Sequence, residues 1–537
     1  MAWEPMLTRV DNYDDLWKQI DYSTLQIPST FNIGSAILDG RDPHARAITE
    51  VHADRSAQDF SYGELTEMSN RIANALAERG VERGDIVVII NPQSVQTAAA
   101  FTAIWRMGAV VLPISQLFGP EALRFRFENS DARAVITFES HRDRVVEAIG
   151  ERDIELLLIG ADPADPDSFE TALANASPQF TAVETNAEDN AFLVYTSGTT
   201  GNPKGALHAH RQIFGQMPPI EMCYDFLPAP ADVFWSVADW AWVAGIMCIM
   251  VPALLYGVPL VVDRKEGFDP ERAAWLMREH KVTLSLLPAT ALRGFRASGI
   301  DGGGFSMRAM MSGGEPLGAE LRGWASDFFG GDINDAYGQT EMNGFCLHSS
   351  RVFPTKPGAA GRPAPGSQVM IVDEDFNPVT NQTGRVVVWR HNPLVMKEYW
   401  RNPEGTRDKF HGDWLISGDL GHMDDDGYVW FEMRDDDVIN SSGYRMGPTE
   451  IEDCLCSNEA VALAAVVGVP DERRGEAPKA FVVLRPGIEP SRDLEQQLRN
   501  HVRTRLAAHE VPREIVFLDD LPRTATGKIM RRELRGK

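Results

Sequence analysis

A loop between Tyr195 and Gly205 carries the side chains best suited to chemistry in this chain. Its sequence is Tyr-Thr-Ser-Gly-Thr-Thr-Gly-Asn-Pro-Lys-Gly, which combines hydroxyls, glycines and one lysine. Glycines let the backbone adopt positive φ and approach a ligand closely, so that successive N–H groups can converge on one anion. Hydroxyls add hydrogen-bond donors, and lysine adds a mobile positive charge. The loop is predicted to bind phosphate through Thr196, Ser197, Gly198, Thr199, Thr200 and Lys204.

The residues around Lys204 exclude the phosphate loop of P-loop ATPases. That motif needs Ser or Thr directly after its Gly-Lys pair, because the hydroxyl binds magnesium. Here Pro203 precedes Lys204 and Gly205 follows it, so the magnesium ligand is missing. The remaining alternative is a surface loop without a ligand, since glycine and threonine are common in loops.

Alternating strand and helix patterns surround the loop. The apolar run Ala191–Tyr195 predicts a buried strand that leads into it. Upstream, Ser61 and Glu64 form a capping box before a helix, and Ile86–Ile90 predicts another buried strand. The same alternation recurs from Pro259 to Leu287. Such repeats predict parallel sheets covered on both faces.

The chain is long enough for more than one domain. Its 537 residues, 43% of them hydrophobic, exceed a single core. Short strands separated by Gly and Pro between Gly358 and Val388 predict a small β-rich subdomain. Beyond Arg434–Asp437, about a hundred residues predict a compact α+β unit. We therefore expect an α/β fold, with a large N-terminal domain (1–435) of two α/β sheet layers plus the subdomain, and a small C-terminal α+β domain (436–537).

Composition limits the partners and the compartment. The 52 basic and 77 acidic residues give a net charge of −25, which argues against nucleic acid or an anionic membrane as a partner. Five scattered cysteines without a CxxC pair favour reduced thiols over disulfides or zinc ligands. No signal-type segment and no long unbroken apolar run is evident. We expect a cytoplasmic protein, either a monomer or a homodimer.

Together with five later segments, the loop resembles the signature of the adenylate-forming superfamily, which contains acyl-CoA synthetases, luciferases and peptide-synthetase adenylation domains. The segments are Gly313–Pro316, Tyr337–Glu341, Leu415–Asp419, Met433–Glu452 and Leu521–Ile529. The resemblance runs from about Ser61 to the C-terminus and is closest to the short- and medium-chain acyl-CoA synthetases. The chain departs from the family at Ile416-Ser417, where most members carry Arg-Thr, and at Met433, where Gly is usual.

This resemblance implies a reaction in two steps. A carboxylate attacks the α-phosphorus of ATP to form an acyl-adenylate and pyrophosphate, and coenzyme A then accepts the acyl group. Glu341 is implied as the ligand of Mg²⁺, an ion that prefers oxygen ligands. Lys528, Thr340 and Glu341 are implied to be catalytic. The small C-terminal domain is expected to be mobile and to rotate about a hinge near Asp436 between the two steps.

The resemblance also assigns contacts with ATP and coenzyme A. Besides the loop, the expected nucleotide-binding residues are Gly314, Glu315, Pro316, Asp335, Ala336, Tyr337, Gly338, Gln339, Asp419, Arg434 and Arg445. Within this set, Tyr337 would stack on the adenine, Asp419 and Arg434 would bind the ribose, and Arg445 would meet phosphate. Coenzyme A is expected to contact Ser442, Gly443 and Arg503.

The small carboxylic acid substrate is expected to lie against Phe234–Gly245, which resembles a stretch of the acyl pocket in the same synthetases. The candidate substrate residues are Trp240, Val243, Ala244, Gly313 and Gly338. Acetate-activating members carry Thr, Val and Trp at the positions matched to Ala244, Gly313 and Gly338, respectively. A tryptophan replaced by glycine is expected to open a void for several methylenes, each worth about 0.8 kcal/mol when buried. We therefore expect a medium-chain, branched or aromatic acid rather than acetate.

Three alternatives remain open. A stand-alone amino-acid or aryl-acid adenylation enzyme would need a carboxylate to pair with a substrate ammonium, and Asp239 lies in the right segment. A luciferase-like oxygenase would share the same motifs. A regulatory protein could have kept the fold and lost the activity, although the presence of Lys528, Glu341 and Asp419 argues against this.

Overall fold

This computed structural model describes residues 3–196, 203–265, 267–315, 317–441, 444–471, 475–506, 510–523 and 529–536. The chain divides into two compact units. The first unit contains the chain up to Thr196, together with Pro203–Gln368 and Trp389–Leu415. The second unit contains Val369–Val388 and the chain from Ile416 onwards.

Helices and strands alternate along most of the chain. The helices are α1 (Tyr13–Trp17), α2 (Ile33–Leu38), α3 (Tyr62–Glu78), α4 (Val95–Arg106), α5 (Pro120–Ser130), α6 (Arg142–Ile149), α7 (Phe169–Asn175), α8 (Gln212–Cys223), α9 (Val243–Gly245), α10 (Val251–Tyr256), α11 (Pro270–Glu279), α12 (Ala289–Ser298), α13 (Ala319–Phe329), α14 (Pro403–Lys409), α15 (Pro448–Cys456), α16 (Arg492–Arg505) and α17 (Arg531–Arg535). The strands up to residue 347 are β1 (Arg46–Val51), β2 (Ala57–Ser61), β3 (Ile86–Ile90), β4 (Val110–Pro113), β5 (Ala132–Phe138), β6 (Glu155–Ile159), β7 (Asn190–Thr196), β8 (Lys204–Ala209), β9 (Phe234–Ser236), β10 (Leu260–Asp263), β11 (Leu284–Leu286), β12 (Ala309–Gly313), β13 (Asp332–Gln339) and β14 (Asn343–Leu347). The later strands are β15 (Arg362–Pro363), β16 (Val369–Val372), β17 (Gly384–Trp389), β18 (Glu398–Tyr399), β19 (Phe410–His411), β20 (Trp414–Met423), β21 (Val429–Arg434), β22 (Ile439–Ser441), β23 (Tyr444–Met446), β24 (Val461–Asp471), β25 (Gly475–Leu484) and β26 (Glu514–Phe517).

Two large sheets form the first unit. The nine-stranded sheet has the order β15-β14-β13-β12-β11-β9-β10-β1-β2, and the seven-stranded sheet has the order β18-β8-β7-β4-β3-β5-β6. The strands from β13 to β1 in the first sheet, and from β7 to β6 in the second, pair in parallel. The remaining strands at the sheet edges pair antiparallel. The two predicted α/β sheet layers are therefore confirmed.

Local sequence signals correspond closely to these elements. Ser61 caps α3 with the predicted capping box. The Ser61 side chain accepts a hydrogen bond from the Glu64 amide, and the Glu64 side chain accepts one from the Ser61 amide. All five residues of Ile86–Ile90 are buried in β3, as an apolar run between helices requires. Side chains such as Phe127 and Leu158 fill the core on one face of the seven-stranded sheet.

The second unit combines a β-rich part and an α+β part. Strand β16 pairs with β17, and β20 pairs with β21, all antiparallel. Further along, β24 and β25 form a long antiparallel pair, and β26 adds to β25 in parallel. Helices α15 and α16 contribute Ile451, Leu455, Leu498 and Val502 to the core that covers this last sheet.

The expected domain boundary lies inside the second unit. Asp436 belongs to a 3₁₀ turn, Asp435–Asp437, that directly follows β21. The hinge at this residue stays a prediction. Within the ranges that the model describes, no helix combines the length and the apolar character needed to cross a membrane.

Candidate active site

The predicted phosphate loop joins two paired strands at one end of the seven-stranded sheet. Residues Ser197 to Asn202, which include Gly198, Thr199 and Thr200, lie outside the described residues. On either side of them, Thr196 ends β7 and Lys204 begins β8, and the two are register partners. The Thr196 hydroxyl donates to the carbonyl oxygen of Lys204 at 3.3 Å. The antiparallel pair thus holds both ends of the loop at a defined separation.

Glu341, the expected magnesium ligand, lies in the tight connection between β13 and β14. Glu341 is 8% exposed. The hydroxyl of Tyr399 donates to Glu341 Oε1 at 2.5 Å, and the Met396 amide donates to the Glu341 carbonyl oxygen at 2.8 Å. Thr340 precedes Glu341 and is half-buried. The carboxylate is therefore held by a segment far away in the sequence.

Sequence analysis did not identify Tyr399. This residue is 5% exposed and belongs to β18, which pairs antiparallel with β8 so that Tyr399 faces Ala206 in register. The Lys204 Nζ atom lies 5.3 Å from the centre of the Tyr399 ring, within the range of a cation–π contact. No local pattern indicates this role, because a buried tyrosine beside Trp400 is typical of any core.

His208 is a second residue near Glu341 that sequence analysis missed. It lies in β8, is 1% exposed, and stacks on Phe192 with ring centres 4.7 Å apart. Burial lowers the pKa of His208 to about 3, although the Thr340 backbone and the Glu341 charge both act to raise it. The ring is therefore neutral near pH 7 and adds no positive charge beside the carboxylate.

The segment before Glu341 runs along β13. Asp335 pairs with Arg322 of α13 at 2.6 Å, and burial raises the pKa of Asp335 to about 6. Ala336 and Gly338 continue the strand, and the half-buried Tyr337 packs on Phe345 with ring centres 4.7 Å apart. At the end of the strand, the Gln339 side chain accepts a 3.5 Å hydrogen bond from Lys409.

The neighbouring strand β12 leads to the second glycine-containing turn. Gly314 has φ +85°, a conformation that favours glycine. Glu315 accepts hydrogen bonds from the Thr290 amide at 2.7 Å and from Arg293 at 3.0 Å. Pro316 lies outside the described residues. Because the Glu315 carboxylate is already engaged in these two hydrogen bonds, the backbone of this turn is the part suited to contact a nucleotide.

The two pocket glycines lie against backbone rather than beside open space. A Cβ atom on Gly338 would clash with the carbonyl oxygen of Asn343, because Gly338 faces Gly344 across the tight β13–β14 hairpin. A Cβ atom on Gly313 would lie 2.8 Å from the carbonyl oxygen of Ala336. A side chain at Gly338 would therefore require the hairpin backbone to move. The expectation of extra space for the acid at this position stays a prediction.

The other substrate candidates follow β9. Trp240 is 1% exposed, and Val243 and Ala244 begin the short helix α9. Asp239 holds the turn before that helix, because its carboxylate accepts hydrogen bonds from the Ala241 amide at 3.0 Å and the Ser115 hydroxyl at 3.2 Å. Burial raises the pKa of Asp239 above its usual value.

The remaining candidates belong to the second unit. Arg434 donates to Asp419 Oδ1 at 2.8 Å. Arg503 lies in the last turn of α16, at an exposed position. Arg445 belongs to β23, but its side chain lies outside the described set, as do residues Ser442, Gly443 and Lys528.

The donor set around Glu341 fits magnesium. In the described part of the chain, no group of three or more His, Cys, Asp or Glu residues could hold a metal ion. Magnesium does not require such a cluster, since it is usually bound by one or two carboxylates together with substrate phosphates and water. A buried glutamate close to the end of the predicted phosphate loop is that kind of ligand.

Comparisons with known proteins identify the family of this chain. The model of the AMP-binding enzyme family matches residues 39–400, and that of the AMP-binding enzyme C-terminal domain matches residues 450–528. The acyl-CoA ligase YtcI of Bacillus subtilis (strain 168), itself uncharacterized, is 34% identical over 89% of this chain and 90% of its own length. The acetyl-coenzyme A synthetase of the same bacterium is 34% identical over 89% of this chain and 84% of its own. A solved structure of the anthranilate CoA ligase AuaEII in complex with anthranoyl-AMP has a TM-score of 0.84 at 27% identity, covering 96% of this chain and 98% of that one.

The fold and these matches define an enzyme that activates carboxylates through adenylation. The chain belongs to the AMP-binding enzyme family. It is an AMP-forming acyl-CoA ligase, and it binds ATP.

Proposed function

We propose that this ligase converts a carboxylic acid larger than propionate, either medium-chain, branched or aromatic, into its coenzyme A thioester. In the first step, a carboxylate oxygen bonds to the α-phosphorus of ATP, and the bond to the bridging oxygen breaks to release pyrophosphate. In the second step, the thiol sulfur of coenzyme A bonds to the acyl carbon and AMP leaves. The thiol proton is lost to solvent.

The absence of a bulky side chain at Gly338, where the backbone leaves no room for one, supports an acid larger than acetate. Acetate-activating relatives are expected to narrow the pocket with a tryptophan at this position, and here a side chain would clash with Asn343. This chain therefore cannot close its pocket in that way. Ala244 is also smaller than the threonine expected in those enzymes. The similarity to an anthranilate CoA ligase supports a larger, aromatic acid. The similarity to an acetyl-coenzyme A synthetase supports acetate instead.

The first step develops negative charge on phosphate oxygens, which fixed cations and donors stabilise. We assign this role to Lys204, Thr340 and Lys528. Glu341 would hold Mg²⁺, which would neutralise phosphate charge when bound with ATP. Asp419 and Arg434 would contact the ribose, and Arg445 the phosphate.

The second step is proposed to follow a rotation of residues 436–537 about Asp436. This motion would withdraw Lys528 and bring Ser442 and Gly443 to the thiol path. Arg503 would contact coenzyme A. An exposed guanidinium is suited to this contact, because its planar fork binds phosphate bidentately.

Amino-acid adenylation is less well supported by the geometry. Its substrate ammonium would need a buried carboxylate partner. Asp239, the residue in the matching segment, already binds Ser115 and Ala241 and orders the turn before α9. Burial also raises the pKa of Asp239, which disfavours the charged form that an ammonium would need.

The test is a product assay with purified protein, ATP, Mg²⁺ and coenzyme A. Linear C2 to C10, branched, aromatic and amino acids would be supplied separately, and the products identified by mass. We expect thioesters from acids larger than propionate and little from acetate. A preference for acetate would overturn the proposed substrate class. Adenylates without thioesters would indicate an adenylation enzyme that does not use coenzyme A.

A further inference from the structure

We propose that Tyr399 is a positioning residue that orients Glu341 for magnesium, an inference that rests on the proposed function of Glu341. The two side chains meet through a 2.5 Å hydrogen bond although they are 58 residues apart. A short bond from a hydroxyl to a carboxylate is typical of the stronger, charge-assisted class. Both residues are buried, so water competes little for either group.

The segment that carries Tyr399 binds Glu341 twice. The Met396 amide donates to the Glu341 carbonyl oxygen at 2.8 Å, and the Tyr399 hydroxyl binds the carboxylate. The backbone and the side chain of Glu341 are therefore both restrained by one short stretch of chain. Such double restraint limits the rotation of the carboxylate about its own side-chain bonds.

The same segment is also attached to the strand that follows the phosphate loop. Strand β18 pairs with β8, and the Trp400 amide donates to the Gly205 carbonyl oxygen at 2.7 Å. Lys204 Nζ lies 5.3 Å from the Tyr399 ring centre. Residues 396–400 thus connect Glu341 with the end of the loop expected to hold the ATP phosphates. Metal and phosphate must be held at a fixed separation, and this connection restrains Glu341 relative to Gly205, the described residue at the end of that loop.

A hydrogen bond to a ligating carboxylate affects the metal as well as the fold. Such outer partners fix the orientation of the ligand, and their loss typically costs about 10- to 100-fold in metal affinity or activity. A tyrosine that merely anchored β18 would change stability and leave metal affinity unchanged. Metal affinity therefore separates a positioning role from a structural one.

The test measures Mn²⁺ binding by electron paramagnetic resonance, with the full chain and a non-hydrolysable ATP analogue. We expect Tyr399→Phe to weaken Mn²⁺ binding about 10- to 100-fold, while binding of the analogue without metal changes less than about twofold. The matched control is Tyr62→Phe, which removes a buried hydroxyl that donates to the Leu254 carbonyl at 2.7 Å. This control should leave Mn²⁺ binding unchanged.

A double-mutant cycle with Glu341→Gln makes the test independent of stability. In the Glu341→Gln background, Tyr399→Phe should cause no further loss of Mn²⁺ affinity. Unchanged affinity in Tyr399→Phe, or equal losses in both backgrounds, would overturn the positioning role. If the wild-type protein forms no thioester from any acid yet the cycle behaves as expected, the proposed substrate class fails and the positioning role stands.

Discussion

Arg434 and Asp419 face each other in register across strands β20 and β21, and the guanidinium donates to the carboxylate at 2.8 Å. The Asp419 side chain is 3% exposed, whereas the Arg434 side chain is 36% exposed. The Ser417 hydroxyl also accepts from the Asp419 amide at 3.0 Å. Two residues that were expected to bind ribose separately are thus one hydrogen-bonded pair. The arginine compensates a buried charge and at the same time orients it.

Replacing Arg434 should therefore affect both stability and nucleotide binding. Arg434→Met leaves the Asp419 carboxylate with one partner fewer, and loss of a charge-assisted hydrogen bond costs about 2 kcal/mol. Urea unfolding and ATP titration would measure the two effects. The matched control is Arg385→Met, which removes a more exposed ion pair with Asp435 at 3.4 Å and should cost less than about 1 kcal/mol. Equal losses in the two variants would contradict the role of the Asp419–Arg434 pair.

A side chain at Gly338 should impair the enzyme with every acid, because there is no room for one. Overpacking of this kind destabilises the fold by about 1–3 kcal/mol. Because Gly338 lies directly before Gln339, Thr340 and Glu341, the shifted hairpin should also misplace these groups, so Gly338→Ala should lower kcat/KM at least about fivefold for large and small acids alike. Kinetics with acetate and with the preferred acid would measure this. Gly344→Ala is the control, because a Cβ there meets only Leu347 side-chain atoms at 3.7 Å or more. A selective gain with acetate in Gly338→Ala would show that the position acts as a size filter instead.

The buried carboxyl of Glu221 should make stability depend on pH. It accepts hydrogen bonds from the amides of Met6 at 2.9 Å and Leu7 at 2.6 Å, and also from the Tyr256 hydroxyl. Burial nevertheless raises the pKa of Glu221 from 4.5 to about 7. Between these values the unfolded chain has released the proton while the folded chain keeps it. Rising pH therefore lowers the free energy of unfolding through this window, by an amount on the order of 3 kcal/mol.

The variant Glu221→Gln isolates this contribution from those of other acids. Its free energy of unfolding, measured between pH 4.5 and 8, should fall less with pH than that of the wild type, and the two slopes should agree above about pH 7. Parallel curves throughout would contradict the assignment. The comparison also tests whether the hydrogen bonds of Glu221 hold the segment around Met6 and Leu7 against α8.

Lys528 provides a test of the two-step scheme. Lys528→Ala should reduce pyrophosphate release by more than about a hundredfold, as loss of a transition-state donor does, yet spare thioester formation from supplied acyl-adenylate. Separate assays of the two steps would measure this. Lys265→Ala, which removes a surface ion pair with Asp269, is the control and should leave both steps unchanged. Normal pyrophosphate release in Lys528→Ala would refute the assigned role.

Much of the architecture could be predicted because its signals are local. An apolar run predicted β3 with its observed bounds, and the capping box at Ser61 placed the start of α3. Strand β7, which leads into the predicted phosphate loop, follows from the buried run Ala191–Tyr195. Propensity, capping and periodicity act over a few residues, so one sequence contains them in full.

Contacts between distant residues could not be predicted in this way. Tyr399 reaches Glu341 only because β18 joins the edge of the seven-stranded sheet, and no pattern near either residue indicates that pairing. Gly338 has no room for a side chain because the hairpin to Asn343 is tight, which depends on strand register and not on residue type. Asp419 and Arg434 were both found from their motifs, yet their pairing follows from the register of β20 with β21. The sequence by itself thus determined the fold class and the family and indicated the candidate side chains. The tertiary structure decided which of these side chains touch, since register and strand order are set by packing across the whole sheet.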